Sequence, residues 1–589
     1  MTSQLGMGAL PHEGGVAFRI WAPHAEAVAV TGDFTGWSDD GVPAEPEGDG
    51  IWHVDVPQAG VGDAYLFLID GFDGRVRRID PNARAVTNSV GNAVVVDLGP
   101  APEGGFAPPP WNEMVIYELH VGTFHAPADD RPGGFDDAAA RLSHLRDLGV
   151  NAIQIMPTME FAGDVSWGYN PAHIFAVETA YGGPEGLRAF VAAAHQSGIA
   201  VILDVVYNHF GPSDLDLWRF DGWGEGDKGG IYFYNDHRSA TPWGDTRPDY
   251  GRPEVRRFLR DNALFWFETY GIDGLRFDMT LYIRTISGDE HHEGDRLPDG
   301  WSLMQWINQE IAERHPGRIV IAEDLRNEDA VTRPVEDGGA GFGAQWDAAF
   351  MHPVREVLIQ PRDEDRSMAA LVEALRKTAD GDPFRRVVYT ESHDEVANGK
   401  ARVPHEIDRE GQDAWHAQKR STLGAALVLT APGIPMLFQG QEFLQGDWFD
   451  DAIPLDWARR EDFAGIVRLY RDLIALRRNL DTTSRGLTGH GIDFPLVDEA
   501  RKLLVFRRFA DDADAGVLVA MNFGAEPAHE VSVPLRRNAP TRARLNTDWR
   551  GYSALFGDFH SADLHVKRMD DGDLGRLSLG PYSAVIYTR

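Results

Sequence analysis

The sequence predicts an α/β fold, a (β/α)8 TIM barrel flanked by an N-terminal β-sandwich and a C-terminal β-sandwich domain. Three observations carry that expectation. Between Trp111 and Arg478, eight short apolar runs alternate with stretches of helical period. Such alternation marks a parallel sheet wrapped by helices, and eight units are the number that closes a barrel. On either side the texture changes to short alternating runs broken by Gly, Asp and Pro, the pattern of small sandwiches. The chain has 589 residues, which suits three to four domains at roughly 150 residues each.

The first domain is expected over residues 1–105. VAFRIWAP, AVAVTGDF, IWHVDVP and AYLFLIDG are its strands, and the Pro-rich stretch GPAPEGGFAPPPW closes it. The barrel is expected over 106–478. Its strands read as MVIYELH (114–120), NAIQIMP (151–157), AVILDVVYNH (200–209) and GLRFD (274–278). RIVIAED (318–324), AQWDAAF (344–350), RRVVYTESHD (385–394) and PMLFQGQE (435–442) complete the eight. Helical stretches near 136–148, 185–197, 254–269, 302–314 and 415–430 lie between them. The third unit carries a long loop, about 211–250, rich in Trp, Tyr, Gly and Asp. It reads as an excursion over the barrel mouth. Residues 479–589 return to β, with LLVFRRF, GVLVAMNF, EVSVPL and YSAVIYT as strands.

Composition excludes several functions. The formal net charge is −35. Nucleic acids and anionic membranes are recruited by basic patches, so both are poor partners for this chain. A neutral or cationic partner suits it better. With no Cys there are no disulfides and no thiol chemistry, which matches a cytoplasmic location. MTSQLGMGALPHEGG has neither a basic nor an apolar segment of the kind a signal peptide needs. No apolar run reaches the roughly 18 residues that span a bilayer. The longest candidate, LGAALVLTAPGIPMLF, is broken by Gly and Pro.

In barrels of this class the chemistry lies at the C-terminal ends of the strands. Strand three ends in Asp204, Asn208 and His209, and strand four in Arg276 and Asp278. Strand five ends in Glu323 and Asp324, and strand seven in Glu391, His393 and Asp394. Packing does not explain charged groups on four strand ends, because burying charge is costly. Arg276 and Asp278 are two apart in a strand, so they share a face. Three carboxylates near a cation and two His suggest glycoside chemistry. A retaining mechanism needs a nucleophile and an acid/base about 5–5.5 Å apart, and Asp278 and Glu323 lie on consecutive strands. Asp278 beside Arg276 is suited to stay ionised. Glu323 must hold a proton, which burial or neighbouring carboxylates favour. Glu391 and Asp324 are read as supports of this network.

DVVYNH (204–209), GLRFD (274–278), IAED (321–324) and ESHDE (391–395) resemble the four sequence blocks of the α-amylase superfamily, glycoside hydrolase family 13, in order and on the expected strands. The resemblance implies Asp278 as nucleophile, Glu323 as acid/base and Asp394 as stabiliser of the transition state. It implies substrate-binding roles for Arg276, His209, His393, Asp204 and Tyr169, the last in SWGYNP, with Trp167 beside it. No cofactor is required. The family often holds calcium near the position of Asn208, but the remaining oxygen ligands are not identifiable in this sequence. A structural calcium is therefore not predicted, and no metal-binding residue is assigned.

The expected partner is an α-1,4-glucan such as amylose, glycogen or maltooligosaccharides. AVAVTGDFTGWSDD resembles the β-sandwich that precedes the barrel in branching enzymes, debranching enzymes and trehalose-releasing hydrolases alike, whereas ESHDEVANGK and the C-terminal ARLNTDWRGY resemble 1,4-α-glucan branching enzymes. DVVYNHFGP and AEDLRN resemble maltooligosyltrehalose trehalohydrolases and debranching enzymes. Branching, transfer of a cleaved chain to a sugar 6-hydroxyl, is the leading reading. A hydrolytic α-amylase is the alternative, followed by a trehalohydrolase or debranching enzyme. A non-catalytic glucan-binding protein is the reading from a different class. All the enzymes share a covalent glycosyl-Asp278 intermediate and differ in what attacks it. The sequence sets no oligomeric state.

Overall fold

In the computed structural model the eight expected barrel strands pair in chain order and close on themselves. The structure describes residues 6–589 except 72–73, 102–104, 128–130, 412, 512–515, 560–561 and 571. The first residues of the chain and part of the Pro-rich stretch thus lie outside the described residues. The strands are Ile116–Leu119, Ala152–Ile155, Ala200–Val205, Gly274–Phe277, Ile319–Ala322, Ala344–Trp346, Arg386–Val388 and Ile434–Phe438. Every neighbouring pair is parallel, and the last strand pairs with the first.

Alternation along these strands explains both the core and the site. Ile116, Ala152, Ala200, Ile202, Ile319, Ile321, Ala344, Val387 and Met436 form one buried apolar cluster. Side chains two residues on point the same way. Moving toward the C-terminal ends, the same faces therefore pass from apolar to polar. Ile116 is followed by Glu118, Ala152 by Gln154, Ile202 by Asp204 and Ile321 by Glu323. Register puts Asp204 beside Arg276, and Arg276 beside Ile321. Gly274 permits close approach of the fourth and fifth strands, since a Cβ there would lie 2.6 Å from the Ile319 side chain.

Two expectations change. AQWDAAF is strand only to Trp346. Asp347 then turns the chain, its carboxylate accepting the N–H of Phe350, and the helix Ala348–Ile359 begins. An Asp N-cap satisfies a helix's free amide donors, so it wins over the strand propensity of the apolar run. The stretch near 136–148 is two helices, Phe135–Ala139 and Leu142–Leu148. The long loop after the third strand is largely irregular, with one short helical turn at His237–Ser239.

The N-terminal residues form two antiparallel sheets facing each other, and the C-terminal residues two more. The first pair rests on the long loop. Arg78 donates to the carbonyls of Phe220 and Arg219, and the His24 ring lies 3.0 Å from buried Asp221. The C-terminal sheets join the barrel through a buried ion pair, Lys419 Nζ to Asp548 at 2.5 Å. Among the described residues no helix is long and apolar enough to cross a membrane.

Candidate active site

The strand ends bring Asp204, Arg276, Asp278, Glu323, His209, His393 and Tyr169 into one polar cluster. Arg276 is its centre and is wholly buried. Its Nη1 donates to Asp204 Oδ1 and Oδ2 at 2.9 and 2.7 Å and to Asp278 Oδ1 at 3.0 Å. Its Nη2 lies 2.5 Å from Glu323 Oε2. One guanidinium thus spans the nucleophile candidate and the acid candidate. Its other faces are covered by rings, with the cation 4.4 Å from the centre of Trp346 and 5.7 Å from that of Tyr169. An arginine enclosed this way stays charged and fixed in place.

Asp278 is held at both oxygens. Arg276 binds Oδ1, and Asn208 Nδ2 donates to Oδ2 at 2.8 Å. The Asn208 side-chain oxygen turns instead to His209 Nδ1, 2.5 Å away. The Asn208 amide is therefore engaged by Asp278 and His209. Among the described residues no group of three or more His, Asp or Glu is arranged to hold a metal ion.

The next residue, Met279, has φ 37°, a left-handed conformation that costs a non-glycine residue about 1–3 kcal/mol. The turn aims the Met279 N–H at Glu323 Oε2, 3.0 Å away. The two loops are then tied together. Thr280 N donates to the Glu323 carbonyl at 2.7 Å, and Thr280 Oγ1 to Asp324 Oδ2 at 3.1 Å. Arg284 closes the tie with a two-pronged bond to Asp324. Asp324 thus supports the cluster from outside it.

Glu323 is 1% exposed and its proton affinity is raised well above that of an ordinary Glu. Burial is the main cause, Arg276 opposes it, and Asp278 and Asp394 add to it. Burial also pushes Asp204 up to about 7, against the pull of Arg276. Asp204 is fully buried, with its oxygens taken by Arg276 and by the Tyr169 hydroxyl at 2.7 Å. It forms the floor beneath the site and does not face the opening. Burial lowers His209, whose Nε2 lies 2.8 Å from the Tyr169 carbonyl.

His393 behaves in the opposite way. Burial favours its neutral form, but Asp394 and Glu118 outweigh burial and push it up to about 9. Glu118 Oε1 lies 2.8 Å from Nδ1, and Asp394 Oδ2 lies 3.6 Å from Nε2. The ring stacks on Tyr169 with centres 4.9 Å apart, and Trp167 meets it edge-on at 5.7 Å. Asp394 has the most open side chain of the three carboxylates, 43% exposed. Glu391 is turned away and binds Arg402 and the N–H of Val403.

Sequence reasoning missed Glu118, Trp346 and Trp243. Glu118 lies next to the C-terminal end of the first strand, two residues after buried Ile116, so the strand-end rule that found the others also finds it. Trp243 comes from the long loop and stacks on His209 at 4.6 Å, with its edge toward Tyr282. A loop aromatic carries no such positional signal.

Comparison with known proteins gives the family and the fold. The family model "Alpha amylase, catalytic domain" matches residues 118–220 and 216–472. The model "Carbohydrate-binding module 48 (Isoamylase N-terminal domain)" matches residues 4–83. The chain is 32% identical over 589 residues to the 1,4-alpha-glucan branching enzyme GlgB of Mesorhizobium japonicum, covering 93% of this chain and 77% of that one. It is 31% identical over 567 residues to GlgB 2 of Xanthomonas euvesicatoria, covering 91% and 74%. In fold it is similar to a putative alpha amylase from Salmonella typhimurium, with TM-score 0.74, 23% identity and 99% of each chain covered. It is also similar to a pullulanase from Anoxybacillus complexed with maltotetraose, with TM-score 0.77, 20% identity, and 99% and 87% covered.

Proposed function

The chain belongs to the alpha-amylase family, and on that premise we propose that it is a 1,4-α-glucan branching enzyme working by a retaining, double-displacement mechanism. The observation that carries the chemistry is the single buried Arg276 in contact with both Asp278 and Glu323. The choice of branching within the family rests on relatives of that activity at 31–32% identity over more than nine-tenths of the chain.

In this reading Asp278 attacks the anomeric carbon of an α-1,4 bond. Arg276 and Asn208 each hold one of its oxygens, which orients the carboxylate for attack. Glu323 Oε2 accepts the Met279 N–H and faces Arg276, so the proton belongs on Oε1. That proton passes to the departing glycosidic oxygen as the bond breaks. The product is a glycosyl ester on Asp278 and a shortened glucan. Glu323, now ionised, takes the proton of an incoming sugar 6-hydroxyl, whose oxygen displaces Asp278 from the anomeric carbon. The new bond is α-1,6, and two inversions give retention. Asp394 and the His393 imidazolium face the sugar ring and its hydroxyls. His209 and Tyr169 bound the same subsite, with Trp167 behind. The assigned chemistry calls on no cofactor. The module at residues 4–83 is read as an anchor for the polymer.

The test is incubation with amylose while iodine colour, reducing ends and α-1,6 linkages are followed together. Branching predicts falling iodine colour and rising α-1,6 linkages with few new reducing ends. Reducing ends that rise without new branches would replace this reading with a hydrolytic α-amylase. Trehalose released from a maltooligosyltrehalose would replace it with a trehalohydrolase.

A further inference from the structure

Among the described residues three Trp side chains are exposed: Trp243, Trp448 and Trp549. Trp243 stacks on His209 at the barrel mouth, and Trp448 precedes Phe449, which packs on Trp167. Both belong to the surroundings of the active site. Trp549 does not. It lies between the C-terminal strands Arg542–Asn546 and His565–Met569, in a cleft of about 460 Å3 that shares no residue with the catalytic cluster.

The cleft is built as a platform with polar walls. Trp549 and Tyr552 form one tight turn, with the Tyr552 N–H donating to the Trp549 carbonyl at 2.9 Å. A Cβ on Gly551 would collide with the six-membered ring of Trp549. Only glycine lets the indole lie flat on this turn, with its other face outward. Tyr552 braces it edge-on at 4.9 Å. The Tyr552 hydroxyl is fixed by Asp472 Oδ2 at 2.8 Å, from the last barrel helix, Ala464–Arg477. The platform is therefore rigid before any ligand arrives, which removes an ordering cost from binding.

The walls add hydrogen-bonding groups of both kinds. Arg544 is anchored by Nε to Thr588 and by Nη2 to Asp481. Its Nη1 has no protein partner among the described residues. Asp558 accepts the Arg550 N–H through Oδ1, and its Oδ2 has no partner among the described residues. Asn546 is spent on the loop itself, bonding Phe559 O and Asp548 N.

An open indole face beside one free donor and one free acceptor fits a ring with an apolar face and vicinal hydroxyls. It does not fit a polyanion, because Asp472 and Asp558 outnumber Arg544 in the cleft and the chain carries a net charge of −35. We infer that Trp549 is the floor of a second saccharide-binding site, taking a neutral α-glucan segment away from the active site. The inference rests on the proposed substrate class. Its consequence is that a long glucan is held at two places, whereas a short oligosaccharide meets only the catalytic cleft. Holding a polymer at a second point raises the local concentration of its other segments.

The test uses full-length protein carrying Asp278→Asn, so that the polymer is not altered, in native gels containing amylose. Trp549→Ala and Trp549→Gln should weaken retention by about 3–10-fold, the scale of one lost stacking contact. In the otherwise unaltered enzyme the same changes should leave kcat/KM on maltoheptaose unchanged. Unchanged retention in both variants overturns the proposal. So does an equal loss on maltoheptaose, which would make Trp549 part of the catalytic cleft. If Asp278→Asn retains turnover, the reading of the active site fails, and gel retention by Trp549 remains a separate result.

Discussion

Glu118 clamps His393 with both carboxylate oxygens, Oε1 against the ring Nδ1 at 2.8 Å and Oε2 accepting the backbone N–H of the same residue at 3.0 Å. The clamp joins the first strand to the seventh across the barrel. Glu118 and His393 are both buried, so their attraction is little screened. With Asp394 it holds His393 charged, with its proton released near pH 9. The sign follows from that upward shift. His393 is charged below its ordinary pKa of roughly 6.5, remains so through neutral pH, and loses its charge as pH rises through about 9. Glu118→Gln keeps the shape and removes the negative partner. The His393 titration followed by NMR, and the alkaline limb of kcat/KM, should both move down by about 1–3 units. An unmoved alkaline limb would remove His393 charge from the mechanism.

Asp278 offers the cleanest separation of chemistry from fold. Asn has the same shape, and Arg276 keeps Asp204 and Glu323 as partners. Asp278→Asn should lower kcat by about 10^4-fold or more, the scale of losing a nucleophile that works as part of a unit. Circular dichroism should be unchanged, with melting within about 2–4 °C of the parent. A parallel fall in melting temperature would mean that Asp278 is a structural carboxylate.

The features legible in the sequence share one physical cause. The eight barrel strands are buried on both faces, so they read as apolar runs. At their mouth ends this apolarity stops, and Asp278, Glu323 and His393 stand out against it. Where burial is one-sided or absent, the signal fades. Gly491–Asp498, Arg542–Asn546 and His565–Met569 lie at sheet edges and went unread. Edge strands carry charge and proline, as in HVKRM and FPLVD. The helix after Asp347 was hidden for another reason. AQWDAAF continues the apolar run through a cap, and Pro353 inside the helix masks its period. No local pattern connects Trp243 to His209, because the contact depends on how a loop of some 40 residues folds back over the mouth.

Asp204 carries a prediction about stability. It is fully buried and gives Arg276 two of its hydrogen bonds. Asp204→Ala takes away that partner and strands the Tyr169 hydroxyl. Breaking a buried pair by removing one side costs about 3–5 kcal/mol. Asp278 and Glu323 still face Arg276, so the loss should fall near the lower end, about 3 kcal/mol. Denaturant unfolding followed by tryptophan fluorescence measures it. Asp204→Asn retains an acceptor for Tyr169 and should cost less. Equal, negligible losses in both variants would show that the remaining carboxylates suffice for Arg276.

Trp243 carries a prediction about the proposed glycosyl intermediate. It reaches from His209 to Tyr282, which follows Asp278 by four residues, and it is 38% exposed. One ring face rests on His209, and the edge meets Tyr282 at 5.2 Å. Transfer requires that a sugar hydroxyl reach the ester before water does, and an apolar wall at that point disfavours water while offering a surface for an incoming sugar. Trp243→Ala removes both effects. New reducing ends per α-1,6 bond formed should rise by about 2–10-fold, the scale of one aromatic contact of 0.5–1.5 kcal/mol. Trp243→Phe keeps a ring on His209 and should restore most of the ratio. Total cleavage of amylose should change less than the partition, since Asp278, Glu323 and Arg276 are untouched. A fall in cleavage with no change in the ratio would place Trp243 in donor binding instead.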